Sequence, residues 1–556
     1  MIKNQLEKII IAVIKQNPVS AEDLFVIVRQ EAGKFKLPPP NKSQLLSAYH
    51  RLLKNKKLRV DKTLEQMLTK RAVRTMSGVA VISVLTKPSP CTGNCLYCPT
   101  ESDMPKSYLS NEPAVMRAIL CDFDPYRQIK MRLQALEANG HQTDKIELII
   151  MGGTWSCHPQ KYQNWFIRRC YEALNGRLSK SLAIAQKTNE TARHRCIGLT
   201  LETRPDYIDT TEIIQMRKFG CTRVELGIQH IDDKILQLNR RGHTSRQSTS
   251  AIHLLRSVGL KINYHLMLNL PGSTPAKDLT MFKKLYTHPD WMPDMIKIYP
   301  CVVNEHSDLY QWWKKDKYKP YTKRQLMDLI IKIKKITPPY VRITRLIRDI
   351  PKESIVAGNK ITNLRQIIGD LAGKQGWNCQ CIRCREVGRQ KKNFNFKFSN
   401  LKLKKIKYSA SGGVEYFLSF ESEDGKVLYA FLRLRINSFP CLEERPRRGL
   451  EKQGDSHASL RIGPLAIPSI KNIFPELKDA AIIRELHTYG LSTAIGKSGD
   501  VQHLGLGKKL LAEAEKITRQ TGLTKIAVIS GIGAREYYRK NGYELDGTYM
   551  IKTYNV

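Results

Sequence analysis

GVAVISVLTKPSPCTGNCLYCP, residues 78–99, decides the fold. Its first eight residues form a short apolar run closed by turn signals, which predicts a buried strand. Cys91, Cys95 and Cys98 follow directly with the spacing C-x3-C-x2-C. Three thiolates on one loop can hold three irons of a 4Fe–4S cluster and leave the fourth iron open. An open iron can chelate S-adenosylmethionine (SAM) and pass an electron to its sulfonium. A structural zinc site would need a fourth ligand, and none is local.

Downstream of the cysteines, apolar runs alternate with helical stretches. The runs are 146–153, 196–203, 222–229, 262–272 and 295–301. Strands alternating with helices predict parallel βα units, with chemistry at the C-terminal strand ends as in barrels. Gly152, Gly153 and Thr154 end one strand, where glycines let a ligand backbone approach. Three-cysteine cluster enzymes of the radical-SAM type use that position for the methionyl amine. Glu202 and Arg204 end a later strand and suit ribose hydroxyls and a methionyl carboxylate. A surface ion pair is the plainer reading of those two.

A second α/β unit is expected from about residue 411. Residues 413–435 read as two antiparallel strands around an acidic glycine turn. Gln502-His503-Leu504-Gly505-Leu506-Gly507-Lys508 then opens a helix whose backbone N–H groups can cradle a pyrophosphate. The preceding strand ends in Glu485-Leu486-His487-Thr488, whose backbone can pair with a pantetheine arm. That order is the acetyl-CoA site of the GNAT acetyltransferase fold. Tyr537 and Tyr538 are adjacent on a helix and point about 100° apart, so one faces the site and the other packs. The facing one can donate a proton to the CoA sulfur.

Lys plus Arg number 92 against 51 acidic residues, a formal +41 over 556 residues. Such a balance attracts polyanions through phosphate neutralisation. The basic residues cluster, as in KNKKLR at 54–59, RQKKNFNFKF at 389–398 and KLKKIK at 402–407. Residues 1–75 read as a basic helical segment, broken at 34–40, that could lie along tRNA. No apolar run is long enough to span a bilayer, so no membrane is expected and the default address is the cytoplasm. Of 13 cysteines, Cys379, Cys381 and Cys384 form a second group suited to structural Zn²⁺. The fourth ligand is not local; Cys441 is the first candidate and His457 the second.

Many of these motifs occur together in one known family. Over residues 71–556 the chain resembles the catalytic subunit of the Elongator complex, the tRNA uridine acetyltransferases. The match runs through RAVRTMSGVAV, CLYCP, DKIELIIMGGT, GLTLETRPDYID, NRRGHT, RITRLIRDIP, CIRCREVG, RELHTYG, QHLGLG and ISGIGAREYYRKNGY. The resemblance implies a radical-SAM partial (β/α) barrel over 76–375, a zinc-binding basic linker over 376–410 and a GNAT domain over 411–556. It implies that SAM is cleaved to a 5′-deoxyadenosyl radical that activates the acetyl-CoA methyl group. The carbon then joins uridine C5, and thioester hydrolysis leaves 5-carboxymethyluridine. It assigns acetyl-CoA to Lys145, Glu485 to Thr488, Leu506 to Lys508 and Tyr538, with Lys145 and Tyr538 catalytic. The implied partner is the tRNA anticodon stem-loop, with an electron donor and either a homodimer or accessory subunits left open. The chain departs from many members at Pro99-Thr100-Glu101, where they carry a Gly-Gly pair.

Two other readings compete. A protein lysine acetyltransferase with a structural iron–sulfur domain does not explain an intact cluster motif with its glycine strand. A non-catalytic tRNA-binding subunit would be expected to have lost the cysteines or the glycine loop, and both are intact.

Overall fold

The computed structural model describes residues 2–69, 77–389, 401–437, 473–490 and 505–554. Four helices open it: Ile2–Gln16, Ala21–Lys34, Lys42–Lys54 and Lys62–Leu68. Ser20, Asn41 and Asp61 cap the last three through their side chains. The prolines at 38–40 separate the second helix from the third. Ile9, Ile10, Val13, Leu24, Val28, Leu45 and Tyr49 give this bundle its own core.

The next unit is a sheet of seven strands: β1 Ala80–Leu85, β2 Lys145–Met151, β3 Arg195–Thr203, β4 Cys221–Gln229, β5 Lys261–Leu268, β6 Met295–Pro300 and β7 Arg342–Arg345. They lie in sequence order and every neighbouring pair is parallel. Helices cover the outside and the sheet curls into a half-barrel, as expected of βα units.

A second, mixed sheet contains β8 Leu401–Ser409, β9 Gly413–Ser422, β10 Leu428–Asn437, β11 Ala480–Thr488, β12 Lys525–Val528, β13 Glu544–Asp546 and β14 Tyr549–Thr553, in the order β13-β14-β12-β11-β10-β9-β8. Only β11 and β12 run parallel among its described pairs. The helix Leu506–Gln520 packs on it through Leu510, Leu511, Ala514 and Ile517. The sheet begins ten residues earlier than the sequence reading places its unit. In LKLKKIKYS, Leu401, Leu403 and Ile406 turn inward while Lys402, Lys405 and Lys407 are exposed, so a stretch read as a basic linker is an edge strand.

The second sheet docks on the N-terminal strand ends of the half-barrel. Tyr549 donates to the Val258 carbonyl at 2.8 Å, and Arg484 donates to the Leu260 carbonyl at 2.8 Å. Gly531 and Gly533 lie so close to Arg195–Ile197 that neither has room for a Cβ. The cysteine loop leaves the opposite, C-terminal end of β1. Among the described residues no helix is long and apolar enough to cross a membrane.

Candidate active site

The cysteine loop is tied down by backbone bonds at both ends. Thr86 N–H donates to the Met151 carbonyl at 2.9 Å, and Leu96 N–H to the Asn239 carbonyl at 3.1 Å. Cys98 N–H closes a turn on the Cys95 carbonyl at 3.0 Å. The Cys91 sulfur lies 3.6 Å from the Thr154 hydroxyl and accepts from Gly93 N–H at 3.4 Å. Arg241 donates to the Cys95 sulfur at 3.4 Å. A hydrogen bond from Cys157 is the main cause holding the Cys91 thiol down at about 5. Burial, then Cys95, pushes the Cys98 thiol up to about 11. Pro99-Thr100-Glu101 is also anchored: Thr100 N–H donates to the His306 carbonyl at 2.8 Å, and Glu101 accepts from Ser110 N–H at 2.9 Å.

Around this loop stand the SAM candidates. Gly152 has φ +134° and Gly153 φ +89°. A Cβ on Gly152 would strike the Thr86 side chain, and one on Gly153 would sit 3.0 Å from the Lys106 carbonyl oxygen. Chain packing alone therefore demands both glycines, whatever ligand they meet. Glu202 accepts from the Tyr108 hydroxyl at 2.9 Å. Arg204 is only 4% exposed and forks onto Asp206 through Nε and Nη2, each 2.9 Å from a carboxylate oxygen. Its Nη1 is buried without a hydrogen-bond partner among the described residues and points at Gly93. An orphaned guanidinium N–H aimed into the cluster loop fits an anionic ligand group there. The thiols, the glycine turn and this cation fit a 4Fe–4S cluster carrying SAM.

Sequence reasoning missed the half-barrel's interior. Glu147 pairs with Arg223, whose Nη2 lies 3.7 Å from Glu225. Glu225 pairs with Lys297 and meets His265 Nε2 at 2.6 Å, and His265 Nδ1 lies 3.7 Å from Glu202. This chain of charges runs from the docked second sheet to the SAM candidates. Burial pushes Glu225 upward, but Lys297 and His265 outweigh it and hold the carboxyl well below its usual range. The available signal is charge at alternate positions of otherwise apolar strands, as in Lys145 and Glu147 on β2 and Arg223 and Glu225 on β4.

At the other end, a cavity of about 120 Å³ lies between the sheets. Glu147, Arg223, Lys261 and Arg342 line it from the half-barrel, Glu485, Leu486 and His487 from β11, and Tyr489 from just beyond that strand. Glu485 contacts Arg433 at 3.1 Å and Lys261 at 3.5 Å. Burial opposes its ionisation, yet Lys261 and Arg433 hold it at about 2. His487 Nε2 meets the Ser77 carbonyl at 2.7 Å, and burial lowers its pKa. Thr488 ends β11 and Lys145 begins β2; burial lowers the Lys145 ammonium.

Gly505 has φ +83° and caps the helix that begins at Leu506; Lys508 is exposed. The Tyr537 hydroxyl would stand 2.8 Å from a Cβ on Gly507, whereas Tyr538 packs in the core beside Tyr543. The two rings diverge as the helix requires, with Tyr537 over the glycine turn. Gln502, Cys441 and His457 lie outside the described residues. The sulfurs of Cys379, Cys381 and Cys384 lie within 4.8 Å of one another, and Lys334 donates to Cys384 at 3.4 Å.

Residues 89–285 match the radical SAM superfamily and residues 293–371 its C-terminal domain. The chain is similar to the tRNA uridine(34) acetyltransferase of Methanocaldococcus infernus, 46% identical over 503 residues and 88% of each chain. It is 37% identical over 505 residues to Elongator complex protein 3 of Homo sapiens, covering 88% of this chain and 87% of that one. A solved structure of archaeal Methanocaldococcus infernus Elp3 with an N-terminal deletion aligns with TM-score 0.71 and 43% identity, over 86% of this chain and 99% of that one. Cluster motif, parallel half-barrel and similarity over 88% of the chain agree: the chain belongs to the family of tRNA uridine(34) acetyltransferases and Elongator complex protein 3.

Proposed function

We propose that the chain makes 5-carboxymethyluridine at the tRNA wobble position, with acetyl-CoA as carbon donor and SAM bound at a 4Fe–4S cluster. Family membership supports the coarser part, a tRNA uridine acetyltransferase with a radical-SAM domain. One observation carries the rest: the buried Arg204 Nη1, without a hydrogen-bond partner among the described residues, faces the cysteine loop, while a cavity opens at the far end of the same half-barrel. When bound, cluster and SAM supply one-electron cleavage and a carbon-centred hydrogen abstractor.

The protein's own residues bind and orient. Cys91, Cys95 and Cys98 act as thiolates, and Arg241 offsets charge at Cys95. Gly152, Gly153 and Thr154 receive the methionyl amine, Arg204 its carboxylate and Glu202 the ribose. Lys145, Glu485 to Thr488, Gln502 and Gly505 to Lys508 hold acetyl-CoA, as expected of a GNAT-like second domain. The Tyr537 hydroxyl is the one beside the glycine turn, while the family resemblance names Tyr538, packed beside Tyr543, as hydroxyl donor to the departing sulfur. Burial and the neighbouring Tyr537 push the Tyr538 pKa well above the ordinary value, so it keeps its proton at neutral pH. Cys379, Cys381 and Cys384 suit a structural Zn²⁺, because three sulfurs within 4.8 Å of one another can ligate a single ion together. A cytoplasmic address and an external electron donor belong to the same reading.

The test is anaerobic incubation of reconstituted protein with acetyl-CoA, SAM, reductant and tRNA, followed by nucleoside analysis. Carboxymethyluridine that depends on all four additions is the expected result. Acetylated protein lysine formed without SAM, with unmodified tRNA, overturns it.

A further inference from the structure

The loop after β6 carries a feature that neither cluster nor thioester chemistry uses. Its short helix Leu309–Lys314 sits on the cysteine loop, with Leu309 N–H donating to the Leu96 carbonyl at 2.8 Å. Tyr310 and Trp313 stack on that helix at 6.0 Å and 17°. Lys314 Nζ lies 4.3 Å from the Tyr310 ring centroid. Tyr310, Trp312 and Trp313 are each only partly covered. They pack around a buried patch that contains Leu96, Leu309 and Tyr318, so the rings are fixed to the loop that carries the cysteines. Lys317 N–H closes the turn onto the Trp312 carbonyl at 2.9 Å. From Lys314 to Lys319 four lysines accompany one aspartate, and all four are exposed.

Partly open aromatic rings among cations are the chemistry of single-stranded RNA binding. Bases stack on the rings while lysines neutralise the phosphates between them. A uridine acted on at C5 has to present a ring edge to the enzyme, so its neighbours must be held unpaired beside the reaction mouth. We propose that Tyr310 and Trp313 form a stacking platform for a loop nucleobase next to the target uridine, with Lys314 and Lys317 on its phosphates. This rests on the tRNA reading above, and the occupant is single-stranded RNA.

The experiment uses the full chain, reconstituted anaerobically, and a synthetic anticodon stem–loop RNA. Binding is measured by anisotropy for the wild type and for a Tyr310→Leu/Trp313→Leu double variant. Stacking of one base predicts affinity weaker by about ten-fold or more. A Lys317→Ala variant, by contrast, should flatten the salt dependence of binding. In parallel, wild-type protein is photocrosslinked to the same RNA carrying 5-iodouridine in the loop, and adducts are mapped by mass spectrometry. That arm needs no substitution, so it decides the matter even if the double variant fails to fold. Adducts at Tyr310 or Trp313 support the platform. Wild type that binds the RNA with adducts only elsewhere, and a folded double variant of equal affinity, overturn it while leaving the tRNA reading standing. Wild type that binds no RNA overturns both.

Discussion

Replacing Asp294 by Asn should loosen the junction between the half-barrel and the second sheet more than any exposed substitution. Asp294 is fully buried and precedes β6. Its oxygens receive Arg484 Nη1 at 2.9 Å, Arg484 Nη2 at 2.5 Å and the Ile262 N–H at 3.1 Å. Arg433 and Arg256 stand 3.8 and 3.9 Å away. Arg484 and Arg433 come from β11 and β10 of the second sheet, so a carboxylate of the half-barrel holds two cations of the sheet docked on it. Asparagine keeps the size and one acceptor but presents an amide N–H₂ to a guanidinium. Glu415, 3.0 Å from Arg484, already serves Arg435 at 3.1 Å. Arg256 would be left with no ion-paired carboxylate among the described residues. Breaking a buried pair from one side costs about 3–5 kcal/mol, most of it the uncompensated charge. In domains of this size that is a melting-temperature loss on the order of 5–10 °C. Calorimetry should show the loss, with the single transition broadening or splitting as the sheets uncouple. Combining Asp294→Asn with Arg484→Gln should cost less than the sum of the two. An unchanged melting temperature, or strict additivity, would refute the claim that this pair welds the domains.

Glu485 predicts an acid limb. Its folded value of about 2 lies below the ordinary 4.5, so its contribution is complete above pH 4.5 and is lost as pH falls toward 2. The gap corresponds to about 3 kcal/mol; urea midpoints between pH 6 and 3 should fall steeply for wild type and less for Glu485→Gln. Gly152→Ala forces φ +134° on a residue whose Cβ meets Thr86, so melting temperature and iron content after reconstitution should both drop, by strain of about 1–3 kcal/mol. Equal iron uptake would show that the turn can shift. Cys381→Ser should lower the zinc-to-protein ratio found by elemental analysis together with thermal stability, and a wild-type protein free of zinc would remove the metal assignment.

Local signals were legible and distant ones were not. Six strands of the half-barrel announce themselves as apolar runs, and the cluster cysteines as a spacing. β7 escaped because RITR offers a single buried residue, Ile343, between polar ends. β8 was misread because alternate lysines on an edge strand resemble a solvated linker. The interior charges stayed hidden for a different reason. Glu147 finds Arg223 76 residues away, and Glu225 finds Lys297 72 away. In sequence each one only interrupts an apolar strand. Adjacency of Tyr537 and Tyr538 implied divergence, yet only the packed helix shows which ring covers Gly507.

The same packing explains where the net charge of +41 resides. Arg433, Arg435 and Arg484 are fully buried, and each has a carboxylate within 3.1 Å. An unmatched guanidinium there would cost several kcal/mol, so the interior has to be close to neutral. The excess must therefore sit where solvent reaches it. Even there it is not uniform: on β8, Lys402 and Lys405 already contact Glu423 and Glu513, which mutes their pull on a distant polyanion. Residues 54–59 in the N-terminal bundle are largely exposed, and the Lys314–Lys319 turn stands beside the cysteine loop. Attraction between exposed charges acts over about a Debye length. The Lys314–Lys319 turn draws a phosphate backbone toward the cluster end of the half-barrel, whereas the N-terminal bundle, which meets Ala138 and Gly140 just ahead of β2, adds its charge nearer the end that the second sheet closes.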